Sequence, residues 1–171
     1  MSVIVPCFNT QDYLAQCLES ILGQSHENIE VICLNDGSTD NSLAILQNYA
    51  QRDRRIVLID KQNEGYGATC NRGLAEARGT WIALVEPDDW IEQGMYADML
   101  SFGESFEPYP DMIKTPYWRI RMPDTPEQQK LNCSYRRRIR PRRQPFTIGE
   151  APHLLCHHPS IWSALYRKSF L

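Results

Sequence analysis

Four short apolar runs, each closed by a polar loop and separated from the next by a helical pattern, constrain this chain more than any other feature. Ser2 to Val5, Ile29 to Leu34, Ile56 to Ile59 and Trp81 to Val85 are rich in branched residues, as buried strands are. Between the first two, Leu14, Cys17, Leu18, Ile21 and Leu22 recur at helical spacing from Asp12 onward, with Thr10 placed as a cap. Leu43, Ile45, Leu46 and Tyr49 predict a second helix, and Cys70, Leu74 and Ala77 a third that Gly79 is placed to end. Such alternation predicts an α/β protein with a mostly parallel, doubly wound sheet and helices on both faces. Right-handed crossovers bring the carboxyl ends of all its strands to one edge. The loops Pro6-Cys7-Phe8-Asn9, Asn35-Asp36-Gly37-Ser38, Asn63-Glu64-Gly65 and Glu86-Pro87-Asp88-Asp89 are therefore expected to meet in one crevice.

The fourth run ends abruptly in acids. Pro87 cannot continue a central ladder, so Glu86, Asp88 and Asp89 belong at the carboxyl edge, where open α/β sheets bind ligands. Carboxylates packed this closely repel one another unless a cation holds them. A hard divalent metal suits oxygen ligands, although a plain acidic turn accounts for the same residues. With Asp36 and Asn35 on the neighbouring loop and Phe8 as an apolar wall, the crevice suits a nucleoside diphosphate whose charge a metal neutralises. Neither a Walker A sequence nor GxGxxG follows the first strand, which argues against a P-loop enzyme and weakens a dinucleotide-binding assignment.

Regularity weakens beyond Trp90, itself expected to pack and fix the acidic loop. Gly94 to Phe106 predicts a helix with Tyr96, Met99, Leu100 and Phe102 on its apolar side, and Met112 to Met122 is expected to be extended. Seven prolines from Pro108 to Pro145 break that region into short pieces, and the apolar stretch Ile148 to Leu171 is expected to fold back onto the sheet. With 171 residues, 42% of them hydrophobic, the chain can bury one sizeable core, and one domain is the default. The formal net charge of -3 hides a run of six arginines between Arg136 and Arg143. That run is either a solvated loop or a site for an anionic acceptor at a membrane face. Nucleic acid is not an expected partner, since aromatic interleaving is limited to Tyr135 and the overall charge is negative.

Six cysteines without CxxC spacing (Cys7, Cys17, Cys33, Cys70, Cys133, Cys156) are expected to be small buried hydrophobes in a reducing compartment. His153, Cys156, His157 and His158 lack a second pair to complete a zinc site. The beginning shows no secretory leader, and no stretch has the length of a membrane span. The expected location is cytoplasmic, with peripheral contact at the inner membrane face as an extension of the arginine argument.

Several motifs carry a family resemblance. Ser2 to Asn9 (SVIVPCFN), Tyr13 to Gln24 (YLAQCLESILGQ), Asn35 to Ser42 (NDGSTDNS), Asn63-Glu64-Gly65, Asn71-Arg72-Gly73 and Glu86 to Trp90 (EPDDW) resemble glycosyltransferase family 2 in order over the first ninety residues. The resemblance implies a Rossmann-like GT-A fold and transfer of a sugar, with inversion, from a nucleotide-sugar donor, UDP-linked by expectation, to a saccharide or lipid-linked acceptor. It implies that Asp36 contacts the nucleobase, and that Asp88 and Asp89 bind the ribose and a Mn or Mg ion at the diphosphate. Pro6, Phe8, Asn9, Asp36 and Asp88 are thus the candidate donor-binding residues, and Asp88 and Asp89 the candidate metal ligands.

The chain departs from the family pattern at Glu86, where aspartate is frequent, and at Cys70, where arginine is frequent; a diphosphate contact is lost there or moved to Arg72. The general base expected of an inverting transfer lies in the family beyond a segment that Ser160 to Leu171 resembles. No base can be named; Asp111, Asp124 and Glu150 are candidates by elimination only. Residues 1–107 are expected to form the nucleotide-sugar-binding half, and 108–171 an acceptor-side segment of the same domain, truncated at its C-terminal end. The alternatives are a nucleotide-binding fragment without turnover, and a nucleotidyltransferase, which would want a basic glycine-rich loop after the first strand.

Overall fold

In a computed structural model that describes residues 1–121, 128–133, 145, 147 and 163–171, the expected alternation is present. The elements are β1 (Ser2–Cys7), α1 (Leu14–Leu22), β2 (Glu30–Asp36), α2 (Ser42–Arg52), β3 (Ile56–Lys61), α3 (Tyr66–Glu76), β4 (Trp81–Leu84), α4 (Met95–Glu104), β5 (Met112–Lys114), β6 (Tyr117–Arg121), β7 (Gln129–Cys133) and β8 (Ala164–Arg167). Six strands form the main sheet in the order β3-β2-β1-β4-β8-β5, and β6 and β7 make a separate antiparallel pair. The first four strands of that order run parallel, while β8 is antiparallel to both of its neighbours. The described part of the apolar end thus returns to the sheet as β8, and residues 148–162 lie outside the described residues. No described helix is long and apolar enough to cross a membrane.

Every residue of β1 is buried, because helices cover both faces of the sheet. Val3, Val5 and Cys7 pack with Leu14, Cys17, Leu18 and Ile21 of α1, Leu46 of α2, and Tyr96 and Met99 of α4. Ile4 lies on the other face with Ile32, Leu34 and Ile82, under Leu74 and Ala77 at the end of α3. There α3 sits so close that a Cβ on Gly73 would lie 2.5 Å from Ile4 Cγ2.

Four local expectations are corrected. Pro6 does not end the first strand, which runs on to Cys7 in register with Asn35. The reason lies on the other flank. Ile4 faces β4 and accepts the last ladder bond there, from the Val85 amide at 2.9 Å. Pro6, two residues further along, faces the same side after β4 has ended, so its missing N–H costs no ladder bond. Thr10 does not cap α1 through its side chain: its carbonyl accepts from the amides of Tyr13 and Leu14 at 3.1 and 3.0 Å, and its hydroxyl is buried without a partner. Gly79 does not end α3, which stops at Glu76; a Cβ at Gly79 would meet the Ser2 amide nitrogen at 2.5 Å, so glycine lets the chain pass the start of β1. Phe102 is exposed and packs edge-on against Phe106 rather than into the core.

Cys7, Cys17 and Cys33 are buried free thiols as expected, whereas Cys70 is only half-buried. Burial pushes the first three thiols up, far from the thiolate form. Side chains of Cys133 and Cys156, the arginine run, and His153 with its histidine neighbours lie outside the described residues.

Candidate donor-binding site

The strand order places the topological switch between β1 and β4, since the chain leaves β1 toward β2 on one side and reaches β4 only after β3. Ligands bind at such a crevice. A cleft of about 630 Å³ opens there, lined by Pro6, Phe8, Asn9, Asp36, Gly65, Glu86 and Asp88 among others. All four predicted loops therefore meet, and the donor-binding candidates stand together on its walls. Phe8 is half exposed at the cleft.

The loops after β1 and β2 are stitched together by side chains bonded to backbone. Asn9 adopts φ 53°, a left-handed conformation that asparagine tolerates better than most residues. From there its Oδ1 accepts from the Thr39 amide at 2.8 Å, and its own amide donates to Ser38 Oγ at 3.1 Å. Asp40 accepts from the amides of Gln11 and Ser42, at 3.1 and 2.9 Å, and the Thr10 amide donates to Ser42 Oγ at 2.9 Å. Burial raises the Asp40 carboxyl, yet the bonds from Ser42 and Gln11 outweigh it and hold the group below the usual carboxylate range. Asn9 is thus a clasp between loops as well as a lining residue.

Asp36 is almost fully buried and ties the β2 loop to the β3 loop. Its carboxylate pairs with Lys61 and accepts from the amides of Glu64 at 2.9 Å and Gly65 at 3.0 Å. Burial pushes its pKa up, but these donors and Thr69 win, and the net direction is down. Gly37, at φ 69°, lets the same loops touch, since a Cβ there would lie 2.8 Å from the Asn63 amide nitrogen. Sequence reasoning missed Lys61: nothing local marks a lysine on an edge strand as the partner of an acid 25 residues earlier.

At the end of β4, Glu86, Asp88 and Asp89 each offer a carboxylate oxygen, all within 4.8 Å of one another. The Asp89 amide closes a turn onto the Glu86 carbonyl at 2.9 Å, which compels the crowding. Asp89 is pushed up to about 6, by burial first and then by the negative charges of Asp88 and Glu86. Three hard oxygen donors at this spacing fit a divalent cation such as Mn or Mg. Trp90 beside them is 42% exposed, so it is not the packed anchor expected.

No lysine or arginine lines the cleft among the described residues. Arg72 pairs with Glu76 one turn along α3, at 2.8 Å, and is not among the lining residues. Asp111 lies 3.6 Å from Arg167, which pairs in register with Trp81 at the start of β4. That is the amino edge of the parallel strands, opposite the cleft, so Asp111 is no base for chemistry there. Asp124 and Glu150 lie outside the described residues.

Comparison with known proteins accords with this geometry. The family model described as glycosyl transferase family 2 matches residues 2–171. The chain is 44% identical over 100 residues to the putative glycosyltransferase EpsH of Bacillus subtilis (strain 168), covering 58% of this chain and 29% of that protein. It is 44% identical over 93 residues to the glycosyltransferase GlyA of Streptococcus pneumoniae serotype 4, covering 54% of this chain and 13% of that one. The chain thus spans less than a third of the length of either relative. Among solved structures, S. aureus TarS 1–349 in complex with UDP-GlcNAc superposes with a TM-score of 0.59 at 29% identity, over 65% of this chain and 32% of that one. The chain belongs to glycosyltransferase family 2, a family of sugar-transferring enzymes, and its fold is of the GT-A kind.

Proposed function

We propose that this chain carries the donor-binding half of a metal-assisted, inverting glycosyltransferase that takes its sugar from a UDP-linked donor. The observation that carries the proposal is the charge of the cleft. Asp12, Glu86 and Asp88 line it with no lysine or arginine among the described lining residues, and Asp36, the fourth acid there, is already paired with Lys61. A diphosphate would be repelled there unless a divalent ion stood between it and the acids. Bound at Glu86, Asp88 and Asp89, that ion supplies charge neutralisation for the departing diphosphate. The chain's own residues do the rest of the holding. The Phe8 ring offers an apolar wall, and Asp36, kept ionised by Lys61 and two amides, presents acceptor oxygens at the nucleoside end. Likeness to TarS, bound to UDP-GlcNAc, favours uridine over other nucleosides.

In this proposal residues 1–107 are the donor half and residues 108–171 an acceptor-side segment of the same domain, the acceptor being a saccharide or lipid-linked molecule presented at a membrane surface on the cytoplasmic side. Incubation with a panel of UDP-, GDP- and CMP-sugars plus Mn tests it. Release of nucleotide from UDP-sugars above the rate from the others is expected. Equal or absent release from all, with unchanged UDP affinity, would leave a nucleotide-binding module and contradict the transferase assignment.

A further inference from the structure

Tyr66 is the first residue of α3 and lines the cleft, and its hydroxyl donates to Glu86 Oε1 at 3.0 Å. It is the one described bond that joins the β3 loop to the acidic loop from side chain to side chain. Both ends of this bridge are held. The Gly65 amide just before Tyr66 is gripped by Asp36, and Asn63 packs against Gly37, so the phenol stands on a rigid platform. Glu86 is fixed through its backbone, whose carbonyl accepts from the Asp89 amide at 2.9 Å and from the Cys17 thiol at 3.6 Å. Its side chain has one more rotatable bond than an aspartate and is half-buried. Without a partner it would be free to swing away from Asp88 and Asp89. A phenol on Oε1 holds one oxygen in place and leaves the other for a cation.

We infer that Tyr66 is a positioning residue that holds the Glu86 carboxylate in the acidic group and so sets how tightly this chain binds a divalent cation. The inference rests on the metal site proposed above. It also accounts for a glutamate at this position: the longer side chain reaches the phenol and is ordered by it. Tyr66 acts through Glu86 and contributes no charge. Hydrogen bonds to ligating carboxylates commonly change metal affinity by about 10–100-fold.

The test is a titration of Mn alone, without nucleotide, followed by the signal of free Mn in electron paramagnetic resonance. Tyr66→Phe, which keeps the ring and removes the oxygen, is expected to weaken Mn binding on the order of tenfold while leaving the melting temperature of the metal-free protein unchanged. Glu86→Gln should also weaken it, and the double variant should bind no worse than Glu86→Gln. Wild-type Mn affinity in Tyr66→Phe would overturn the inference. So would losses that multiply in the double variant, or a fall in metal-free melting temperature that accounts for the weaker binding. A UDP titration on the same samples separates this from the functional proposal. UDP binding that is intact in wild type and Tyr66→Phe alike, with equal Mn affinity, sinks only the role of Tyr66. A Tyr66→Phe defect for Mn in a protein that ignores UDP supports that role and sinks the nucleotide assignment.

Discussion

Asp88→Asn and Asp89→Asn are each expected to weaken Mn-dependent UDP binding by on the order of tenfold or more, about 1.4 kcal/mol, without lowering the melting temperature of the metal-free protein. Asparagine keeps the shape of aspartate and some of its hydrogen bonding but loses the charge that holds a hard cation. The two halves of the expectation have opposite signs for a reason visible in the site. Glu86, Asp88 and Asp89 crowd within 4.8 Å, and the raised pKa of Asp89 records the cost of ionising it there. An acid whose folded pKa is raised contributes most stability below its unfolded value and loses that contribution as pH rises through the folded one. At neutral pH, then, Asp89→Asn relieves repulsion and should leave the metal-free fold as stable or slightly more so. Melting curves with and without Mn and UDP check this. A ligand-induced rise that survives intact in both variants would show that these acids do not hold the metal.

Asp36→Ala should act in the other direction, on the fold as well as on the ligand. It removes the acceptor for the Glu64 and Gly65 amides and the partner of Lys61, whose side chain is 13% exposed. Amides deprived of an acceptor cost about 2 kcal/mol, enough to lower the melting temperature by several degrees. The loop that leads into Tyr66 at the start of α3 should loosen with it, so UDP affinity should fall too. The pH dependence comes from the lowered carboxyl. Its stabilising contribution is present above the ordinary aspartate value of 3.8 and is lost as pH falls through the lower folded value. The stability gap between wild type and Asp36→Ala should therefore hold above the ordinary aspartate value and narrow as pH falls below 3.8 in urea titrations. A constant gap would mean that Asp36 is not held ionised by its donors.

The strands and their convergence were readable because apolar runs and right-handed crossovers act over short, repetitive stretches. Val3, Ile32 and Ile82 identify themselves as core by their neighbours alone, and once the order of elements is known the four loops have nowhere else to go. What escaped depends on which residues meet across loops. The length of β1 turns on where β4 stops, so Pro6 could be judged only with Val85 in place. The clasp of Asn9 on Thr39 and the pairing of Asp36 with Lys61 join residues 30 and 25 positions apart, with no periodicity to announce them. Tyr66 carries no motif at all; only the geometry of α3 against the β4 loop points its hydroxyl at Glu86. Gly79 shows the opposite failure, a strong local signal overruled by close approach to Ser2.

A cleft whose acids at the end of β4 face no lysine or arginine among the described lining residues should bind a nucleoside diphosphate only through a divalent metal. Calorimetric titration of UDP into the protein in Mn, and again in excess EDTA, measures it directly. Binding in Mn that is lost or at least tenfold weaker in EDTA is the predicted result, and equal affinity in both would contradict the claim.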